Sequence, residues 1–241
     1  MNSNRLRGLL DPLRRTPLHP QWFVFRDERH IRRWVHDTAC GRVLDVGCAG
    51  GWARDVVPLE CEYIGLDYPV TACEIYGTRP QIFADGAKLP FIEGAFDTVL
   101  LLEVLEHVAD AGAVLGEIHR VLKPGGMLLL SVPFLYPLHD APHDYRRYTA
   151  HGLIHSVRSA GLQPGAAIPR NPGFEATALL SAIACAEAVL VATKVQRWRL
   201  IFAPLLLIAI PLMNILAWLM TPLGAKRMLA SGHSIEARKP D

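Results

Sequence analysis

The chain has 241 residues, of which 51% are hydrophobic and 20% are charged, and its formal net charge at pH 7 is +2. This length is sufficient for a large hydrophobic core, and the near-balanced charge excludes the strongly basic pattern of nucleic-acid-binding proteins. The five cysteines are odd in number and lack CxxC spacing, which indicates reduced thiols in a cytosolic compartment rather than a disulfide framework.

The first 38 residues are predicted to form an arm followed by a helix. Residues 1–20 contain four arginines and no uninterrupted apolar run, so a secretion signal is not expected. Over residues 22–38, apolar side chains recur at helical spacing, with Trp22, Phe25, Ile31 and Trp34 on one face and arginines outside it. That basic face either binds an acidic headgroup or phosphate, or is only solvated.

A short apolar strand then ends on a carboxylate and turns at once through glycines. Val43, Leu44 and Val46 supply the strand, Asp45 lies near its carboxyl end, and residues 47–51 form the turn. Glycines leave the backbone bare, so a ligand can approach it closely. A carboxylate in the turn would repel a pyrophosphate but suits a ligand with an ammonium group, such as S-adenosylmethionine. A dinucleotide-binding dehydrogenase, whose usual pattern is GxGxxG, is the alternative.

Two more acids follow at the ends of the next predicted strands. The strand at 62–66 closes on Asp67, which is placed to accept both hydroxyls of a ribose. Residues 81–84 lead into Asp85, whose carboxylate is expected to accept the amine of adenine while Ala87 covers the ring. Asp67 fits either cofactor, but a dehydrogenase leaves Asp45 and Asp85 unexplained. We therefore expect the three aspartates to converge on one pocket for a sulfonium nucleoside.

Five segments together resemble the class I S-adenosylmethionine-dependent methyltransferases, in the small-molecule group called type 11. They are VLDVGCAGG (43–51), YIGLDY (63–68), ADGAKLPF (84–91), FDTVLLLEVLEHV (96–108) and VLKPGGMLLLSVPF (121–134). In the last of these, VLKPGG is predicted to end a helix and 127–132 to form a fifth strand. One departure is Ala49, which stands where the family motif DxGxGxG has its middle glycine.

The resemblance implies an α/β fold, a doubly wound and mostly parallel seven-stranded Rossmann-like sheet with an apolar helical insertion before its last strand. It also implies S-adenosyl-L-methionine as the cofactor. The strand at 96–102 then places Glu103 and Val104 beside the methionine half of that cofactor. The expected cofactor-binding residues are Asp45, Gly47, Cys48, Ala49, Gly51, Asp67, Tyr68, Asp85, Gly86, Ala87, Glu103 and Val104.

The segment PLHDAPHDYRRYT, at 137–149, is the predicted acceptor loop. It follows the fifth strand and is dense in polar side chains, a composition typical of loops that carry chemistry. Asp144, Arg147 and Tyr148 are the expected substrate contacts. His139 and His143 have HxxxH spacing, but Pro142 lies between them and no third ligand is evident, so no metal is expected.

Methyl transfer needs an acceptor held in line with an activated methyl group, and positioning supplies most of the acceleration. A hydroxyl acceptor also needs a proton taker, a role for which histidine is suited. His139 and His143 are the expected catalytic residues. His107, in EVLEHV, is a third candidate, or else it only fixes the loop after the fourth strand.

After a predicted helix at 150–160 and an edge strand at 161–169, the composition becomes apolar. Residues 174–193 are small and apolar, and residues 200–224, which hold no charge, are long enough to span a hydrocarbon core of about 30 Å. SIEARKP, at 234–240, resembles the last strand of the methyltransferase sheet, so both ends of the apolar region would lie on one side of a membrane. A spanning hairpin would then place Lys194, Arg197 and Arg199 outside, against the positive-inside tendency. We therefore expect shallow or re-entrant insertion, with ordinary packing on the sheet or a dimer interface as the alternatives.

Three parts are expected: an arm and helix at 1–38, a methyltransferase domain at 39–172 with 230–241, and an apolar helical pair at 173–229. The predicted function is methyl transfer from S-adenosylmethionine to a hydroxyl oxygen of a small or lipid-linked acceptor, at the cytoplasmic face of a membrane. The alternatives are an NAD(P)-binding oxidoreductase and a membrane-associated adaptor that has lost catalysis.

Overall fold

The computed structural model describes residues 11–195, 197–224 and 228–241. These residues divide into two compact units. The sheet unit contains residues 31–134, 138–168 and 232–241, and the helical unit contains the described residues within 11–30, 135–137 and 169–231. The predicted division into three parts stays a prediction, and the described residues of the N-terminal arm belong to the same compact unit as the apolar helices.

The strands are β1 (Arg42–Val46), β2 (Glu62–Asp67), β3 (Ile82–Phe83), β4 (Phe96–Leu102), β5 (Leu122–Pro133), β6 (Gln163–Pro164), β7 (Ile168–Arg170) and β8 (Gly232–Arg238). Seven of them follow the order β3-β2-β1-β4-β5-β8-β6. The first five strands along the chain pair with one another in parallel, and β8 runs antiparallel between β5 and β6. The predicted doubly wound, mostly parallel fold is therefore confirmed, with two short strands, β6 and β7, where one edge strand is predicted.

Alternate side chains of the central strands pack on opposite faces of the sheet. Leu44, Val99 and Leu128 belong to one buried cluster, while Val43, Leu100 and Leu129 belong to another. The first cluster includes side chains of α2 (Ala111–Val121) and α3 (Ala150–Ser159), and the second includes the carboxyl-terminal half of α1 (Trp22–Thr38). Both faces are covered, which explains why these strands are almost continuously apolar.

Helix α1 has the predicted bounds but a slightly different apolar face. Trp22, Phe23, Ile31 and Val35 are its buried side chains, whereas the predicted Phe25 and Trp34 are only half-buried. In the sheet unit, the Trp34 indole N–H donates to Glu236 Oε1 at 2.7 Å. The N–H edge of the indole has a polar partner, so the ring lies at the edge of the core.

The segment VLKPGG ends its helix earlier than predicted. Helix α2 stops at Val121, and β5 begins at Leu122. The backbone explains the difference, because the Gly125 N–H donates to the Lys239 carbonyl and the Lys239 N–H donates to the Gly126 carbonyl, each at 2.9 Å. Pairing with the end of the chain extends β5 backwards over the Pro-Gly pair.

The helical unit is built on α4 (Phe174–Lys194) and α5 (Ala203–Met220). One buried apolar cluster of this unit contains Trp22, Phe23, Ala178 and Ala217. Both helices are long and apolar enough to cross a membrane by length and composition alone, and such helices also occur as core helices. In this unit only 28% of the first span and 17% of the second are buried.

Candidate functional site

The loop 47–51 follows β1 and is held against the end of β2. The N–H groups of Gly47 and Cys48 both donate to the Leu66 carbonyl, at 2.8 and 3.1 Å. The Ala49 N–H donates to Asp67 Oδ2 at 2.8 Å. Asp67 therefore shapes the loop directly, a role that strand-end spacing alone did not reveal.

Two glycines of this loop serve different purposes. Gly47 has φ +77°, and a Cβ built there would clash with Val104 Cγ2, so a side chain has no room. Gly50 is different, because a Cβ built there meets no other atom within 4 Å. The loop is thus packed tightly on the Val104 side and open at Gly50, and a ligand can approach bare backbone on the open side.

Ala49 adopts the left-handed conformation, with φ +43°. A residue with a side chain rarely does so without local support. The hydrogen bond from its N–H to Asp67 supplies that support. The departure from the family glycine is therefore accommodated in the backbone geometry of this loop.

Asp45 is 4% exposed, and its Oδ2 accepts the Tyr63 hydroxyl at 2.6 Å. Burial raises the pKa of Asp45 to about 7, the Tyr63 hydrogen bond opposes the rise, and the charge of Asp67 adds to it. Among the described residues, none of the groups that shift its pKa is a cation. A buried carboxylate in this position fits a ligand that brings its own ammonium group, as S-adenosylmethionine does.

Cys48 is buried at 5% exposure inside the loop. Burial raises the pKa of its thiol to about 12, and the nearby charges of Asp45 and Asp67 act in the same direction. The thiol therefore stays protonated at neutral pH. Cys48 fills space in the loop and is not placed as a nucleophile.

Asp67 and Asp85 differ in exposure. Asp67 is 5% exposed, and its Oδ1 accepts the Tyr68 N–H at 2.7 Å. Asp85 is exposed, and its Oδ1 accepts the Ala87 N–H at 2.9 Å in a local turn. The structure brings Asp45 and Asp67 together at the loop, while convergence of all three aspartates on one pocket stays a prediction.

The end of β4 is tied to both neighbouring strands. Glu103 has φ +56°, its N–H donates to the Ser131 carbonyl at 3.0 Å, and its Oε1 accepts the Ser131 hydroxyl at 2.8 Å. Val104 packs against Gly47, while Gly86 packs between Val46 and Val114. These contacts position the predicted cofactor residues Glu103, Val104 and Gly86 at the carboxyl edge of the sheet, where ligands bind in this class of fold.

The acceptor loop is organised by a buried carboxylate. The Asp144 side chain is 2% exposed, binds the Arg147 guanidinium with an Nη2–Oδ2 distance of 2.6 Å, and accepts the His139 N–H at 3.0 Å. Hydrogen bonding from Arg147 lowers the pKa of Asp144 to about 2. Two of the predicted substrate contacts therefore bind each other, and the third, Tyr148, is 7% exposed.

Two of the three predicted catalytic histidines lie together. The rings of His107 and His139 meet edge to face with centroids 4.7 Å apart. His107 Nδ1 lies 2.9 Å from the His143 carbonyl, whereas the His143 ring faces the Tyr145 hydroxyl at 3.2 Å. His143 thus contributes its backbone to this cluster, and its side chain has another partner.

The residue that sequence reasoning missed is Glu106, between Leu105 and His107. It is fully buried, and its Oε1 lies 3.6 Å from His107 Nε2 and 3.8 Å from His139 Nε2. Burial raises its pKa well above the usual range, and the charge of Glu103 adds to the rise. The only sequence signal for Glu106 is its position beside His107 in EVLEHV. Tyr63 is a second residue that the sequence analysis missed, because its position in a strand does not indicate a hydrogen bond to Asp45.

Comparison with known proteins points to one family. Residues 44–130 match the family described as a methyltransferase domain. A sterol 24-C-methyltransferase of Schizosaccharomyces pombe is 40% identical over 116 residues, 43% of this chain and 31% of that protein. A probable S-adenosylmethionine-dependent methyltransferase of Mycolicibacterium smegmatis is 33% identical over 153 residues, 59% of each chain. A ubiquinone biosynthesis O-methyltransferase of Xanthomonas oryzae is 35% identical over 106 residues, 39% of this chain and 44% of that one.

The chain thus spans less than two thirds of the length of these relatives.

Solved structures share its fold at low identity. A methyltransferase from Archaeoglobus fulgidus has a TM-score of 0.55 at 17% identity, covering 90% of this chain and 99% of that one. The [4+2]-cyclase SpnF has a TM-score of 0.54 at 19% identity, covering 90% and 81%. The fold is therefore shared by proteins of different named activities.

The matched domain, the named relatives and the sheet order agree with one another. The carboxylate-bearing glycine loop also differs from the dinucleotide pattern of a dehydrogenase. Residues 44–130 match the methyltransferase domain, and over this region the chain is similar to the class I S-adenosylmethionine-dependent methyltransferases of type 11, whose cofactor is S-adenosylmethionine.

Proposed function

We propose that this chain transfers a methyl group from S-adenosylmethionine to a hydroxyl oxygen of a small or lipid-linked acceptor. The observation that carries the proposal is the loop 47–51, which is open at Gly50 and lies beside the buried carboxylate of Asp45. Two relatives differ in the atom that their names specify, since one is a C-methyltransferase and the other an O-methyltransferase. The histidine-rich acceptor loop favours oxygen, because a hydroxyl must lose a proton.

The three aspartates have distinct roles in this proposal. Asp45 binds the ammonium group, Asp67 binds the ribose hydroxyls while it holds the Ala49 N–H, and Asp85 binds the adenine amine. Asp67 Oδ2 accepts one hydrogen bond, from Ala49 N–H, and Oδ1 accepts two, from the Tyr68 N–H and the Thr71 hydroxyl. A carboxylate has about four acceptor positions, so one remains at Oδ2 for a hydroxyl donor. When bound, the cofactor supplies a methyl group already activated by its positively charged sulfur.

The reaction asks the protein for alignment and for removal of one proton. The acceptor oxygen forms a bond to the methyl carbon as the bond between carbon and sulfur breaks, the electron pair stays on sulfur, and the hydroxyl proton passes to a base at the site, an imidazole or a water molecule. Alignment contributes on the order of 7 to 11 kcal/mol in well-oriented cases. His139 and His107 lie on the segments that follow β5 and β4, at the carboxyl edge of the sheet. We assign the handling of the acceptor hydroxyl to this pair and its neighbours.

The test is transfer of a labelled methyl group to fractionated cell extract, followed by identification of the labelled product. We expect the label in an oxygen-methylated product, and His139→Ala should reduce turnover at least tenfold while cofactor affinity stays nearly unchanged. Calorimetry should show binding of S-adenosylmethionine and none of NAD. Absence of methyl transfer to every fraction, with cofactor binding intact, would favour the inactive adaptor and contradict the proposal.

The apolar surface of the helical unit supports a lipid-linked acceptor. Helix α5 directs Leu205, Ile208, Leu212, Leu216 and Leu219 outward, each at least 58% exposed. A contiguous apolar surface of this kind is uncommon on monomeric proteins in water and is typical of contact with a membrane or another protein. We infer that α5 lies in the membrane interface and that the acceptor is found there.

The inner side of the same helix supports shallow rather than spanning insertion. Asn214 is fully buried, and its side-chain amide donates to the carbonyls of Pro17 and His19 at 2.7 and 3.1 Å. A helix that is bound along one side by a polar segment cannot present all its faces to lipid. The exposed Trp198, next to Arg197 and Arg199, is typical of a segment at the headgroup level.

A further inference from the structure

Glu106 is a carboxylate with no evident structural purpose. It is fully buried, and neither of its two carboxylate oxygens has a hydrogen-bond partner among the described residues. A buried polar group in this condition costs free energy unless something else binds it. Its Oε1 lies 3.6 Å from His107 Nε2 and 3.8 Å from His139 Nε2.

The two imidazoles are oriented from behind by groups that can only accept a hydrogen bond. His107 Nδ1 lies 2.9 Å from the His143 carbonyl, so it must donate. His139 Nδ1 lies 3.3 Å from Asp144 Oδ2, and Arg147 in turn binds Asp144. Neutral histidines held through Nδ1–H present Nε2 as an electron-pair donor, and metal-binding histidines are commonly oriented in this manner.

We propose that Glu106, His107 and His139 form a binding site for one divalent transition-metal ion. One ligand atom from each residue lies within 4.8 Å of the other two. Two imidazole nitrogens and one carboxylate suit Zn²⁺, Fe²⁺ or Co²⁺, whereas Mg²⁺ and Ca²⁺ prefer oxygen ligands alone. Of the two histidines with HxxxH spacing, only His139 belongs to this site. His107 takes the place that the spacing would give to His143, and Glu106 is the third ligand.

Two of the three ligand separations require only a small adjustment, and the third, between the histidine nitrogens, lies within 4.8 Å. A tetrahedral ion with bonds of about 2.1 Å places its ligand atoms about 3.4 Å apart. The separations of 3.6 and 3.8 Å from Glu106 Oε1 exceed that value by a few tenths of an ångström. The histidine side chains are 15% and 28% exposed, so an ion can enter from their side while Glu106 closes the inner end.

The position gives the ion a role that rests on the proposed function. Glu106 and His107 lie in the short helix Leu105–His107 after β4, and His139 lies in the loop after β5. Three protein ligands leave coordination positions open. An acceptor hydroxyl bound there would be more acidic, which assists loss of its proton.

The experiment measures ion binding without cofactor or acceptor. The full chain is stripped with a chelator, and Zn²⁺, Co²⁺ and Mg²⁺ are each titrated by calorimetry, with visible absorption followed for Co²⁺. We expect one Zn²⁺ per chain, a tetrahedral Co²⁺ spectrum, and much weaker binding of Mg²⁺. Glu106→Gln and His139→Ala should each weaken Zn²⁺ binding at least tenfold, and Asp144→Asn, which alters the group behind His139 and its pairing with Arg147, about tenfold.

His143→Ala is the matched control, because it removes a nearby imidazole but keeps the backbone carbonyl that contacts His107. It should leave Zn²⁺ affinity and the Co²⁺ spectrum unchanged. Circular dichroism and the unfolding midpoint identify any variant that fails to fold. If Glu106→Gln fails to fold, His139→Ala still tests the site, because the His139 side chain is partly exposed and its removal should be tolerated. Equal Zn²⁺ binding by wild type, Glu106→Gln and His139→Ala would overturn the proposal, as would tighter binding of Mg²⁺ than of Zn²⁺.

The two proposals fail independently. Methyl transfer by a chain that binds no Zn²⁺ overturns the metal site and leaves the proposed function intact. Zn²⁺ binding that depends on Glu106 and His139, in a chain that transfers no methyl group, supports the site and overturns the function.

Discussion

At the scale of single residues, the environment of Asp45 has a measurable consequence. The carboxylate is buried beside the Tyr63 hydroxyl, close to Asp67 and Cys48, and its pKa is raised to about 7. An ammonium group binds the ionised form better than the protonated form. Cofactor binding and ionisation of Asp45 should therefore favour each other.

The first prediction is a pH dependence of cofactor affinity. Affinity for S-adenosylmethionine should increase as pH rises through about 7, because the fraction of ionised Asp45 increases over that range. Asp45→Asn should bind more weakly and lose this dependence, while its amide oxygen still accepts the Tyr63 hydroxyl. Calorimetry at several pH values measures both effects. Parallel pH profiles for wild type and Asp45→Asn would exclude Asp45 as the source.

The same pKa makes a prediction about stability without ligand. A carboxyl group whose pKa is raised on folding stabilises the fold fully below its unfolded pKa of 3.8, and this contribution is lost as pH rises through about 7. Asp45→Asn has no such loss, so it should exceed wild type in stability at alkaline pH by about 1 to 4 kcal/mol. Urea unfolding on both sides of neutrality tests the sign, and a wild type that is more stable at alkaline pH would contradict it.

The glycines of the loop provide a matched pair of substitutions. Gly47→Ala places a Cβ against Val104 at a positive φ, so it should destabilise the fold by about 1 to 3 kcal/mol. Gly50→Ala meets no protein atom, so it should leave stability unchanged but weaken cofactor binding by filling the open side of the loop. Unfolding midpoints and calorimetry on both variants separate the two effects. Unchanged cofactor affinity in Gly50→Ala would show that the ligand does not lie on that side.

At the scale of elements, one buried polar residue of α5 joins this helix to the N-terminal segment by two hydrogen bonds. Asn214 is fully buried and donates to two backbone carbonyls of the N-terminal segment. Asn214→Leu leaves those carbonyls without this donor, and the expected cost is about 1 to 3 kcal/mol. Leu212→Ala, at a position 62% exposed on the same helix, is the control and should change the unfolding midpoint little. Equal midpoints for Asn214→Leu and wild type would mean that the arm is not held by this residue.

At the scale of the whole molecule, the apolar surface of α5 predicts binding to lipid. The full chain should float with anionic phospholipid vesicles in a density gradient. Replacement of Leu205 and Leu212 by Ser should reduce the bound fraction severalfold, because each exposed leucine contributes about 1.5 to 3 kcal/mol when buried. Replacement of Leu59 and Ile92, which are exposed in the sheet unit, is the matched control and should have no effect. A stable dimer that dissociates on the same α5 substitutions, with no vesicle binding, would contradict membrane contact and support a dimer interface.

Much of the fold was predictable because its signals are local. The bounds of α1 and β4 follow from apolar periodicity, and the parallel sheet follows from alternating strand and helix patterns. The bounds of β5 were less predictable, since its first residues pair with the chain end near Lys239. A hydrogen bond between distant segments leaves no mark in either segment alone.

The amino-acid sequence by itself determined the resemblance to the methyltransferase family, the doubly wound and mostly parallel sheet, and the aspartates at the strand ends, because each depends on neighbouring residues and on strand periodicity. Only the tertiary structure decided that Tyr63 meets Asp45, that Asp67 holds Ala49, and that Glu106 lies between His107 and His139. The physical reason is that a side chain's pKa and its capacity to bind an ion depend on burial and on partners from other segments, and only folding brings those partners within hydrogen-bonding distance.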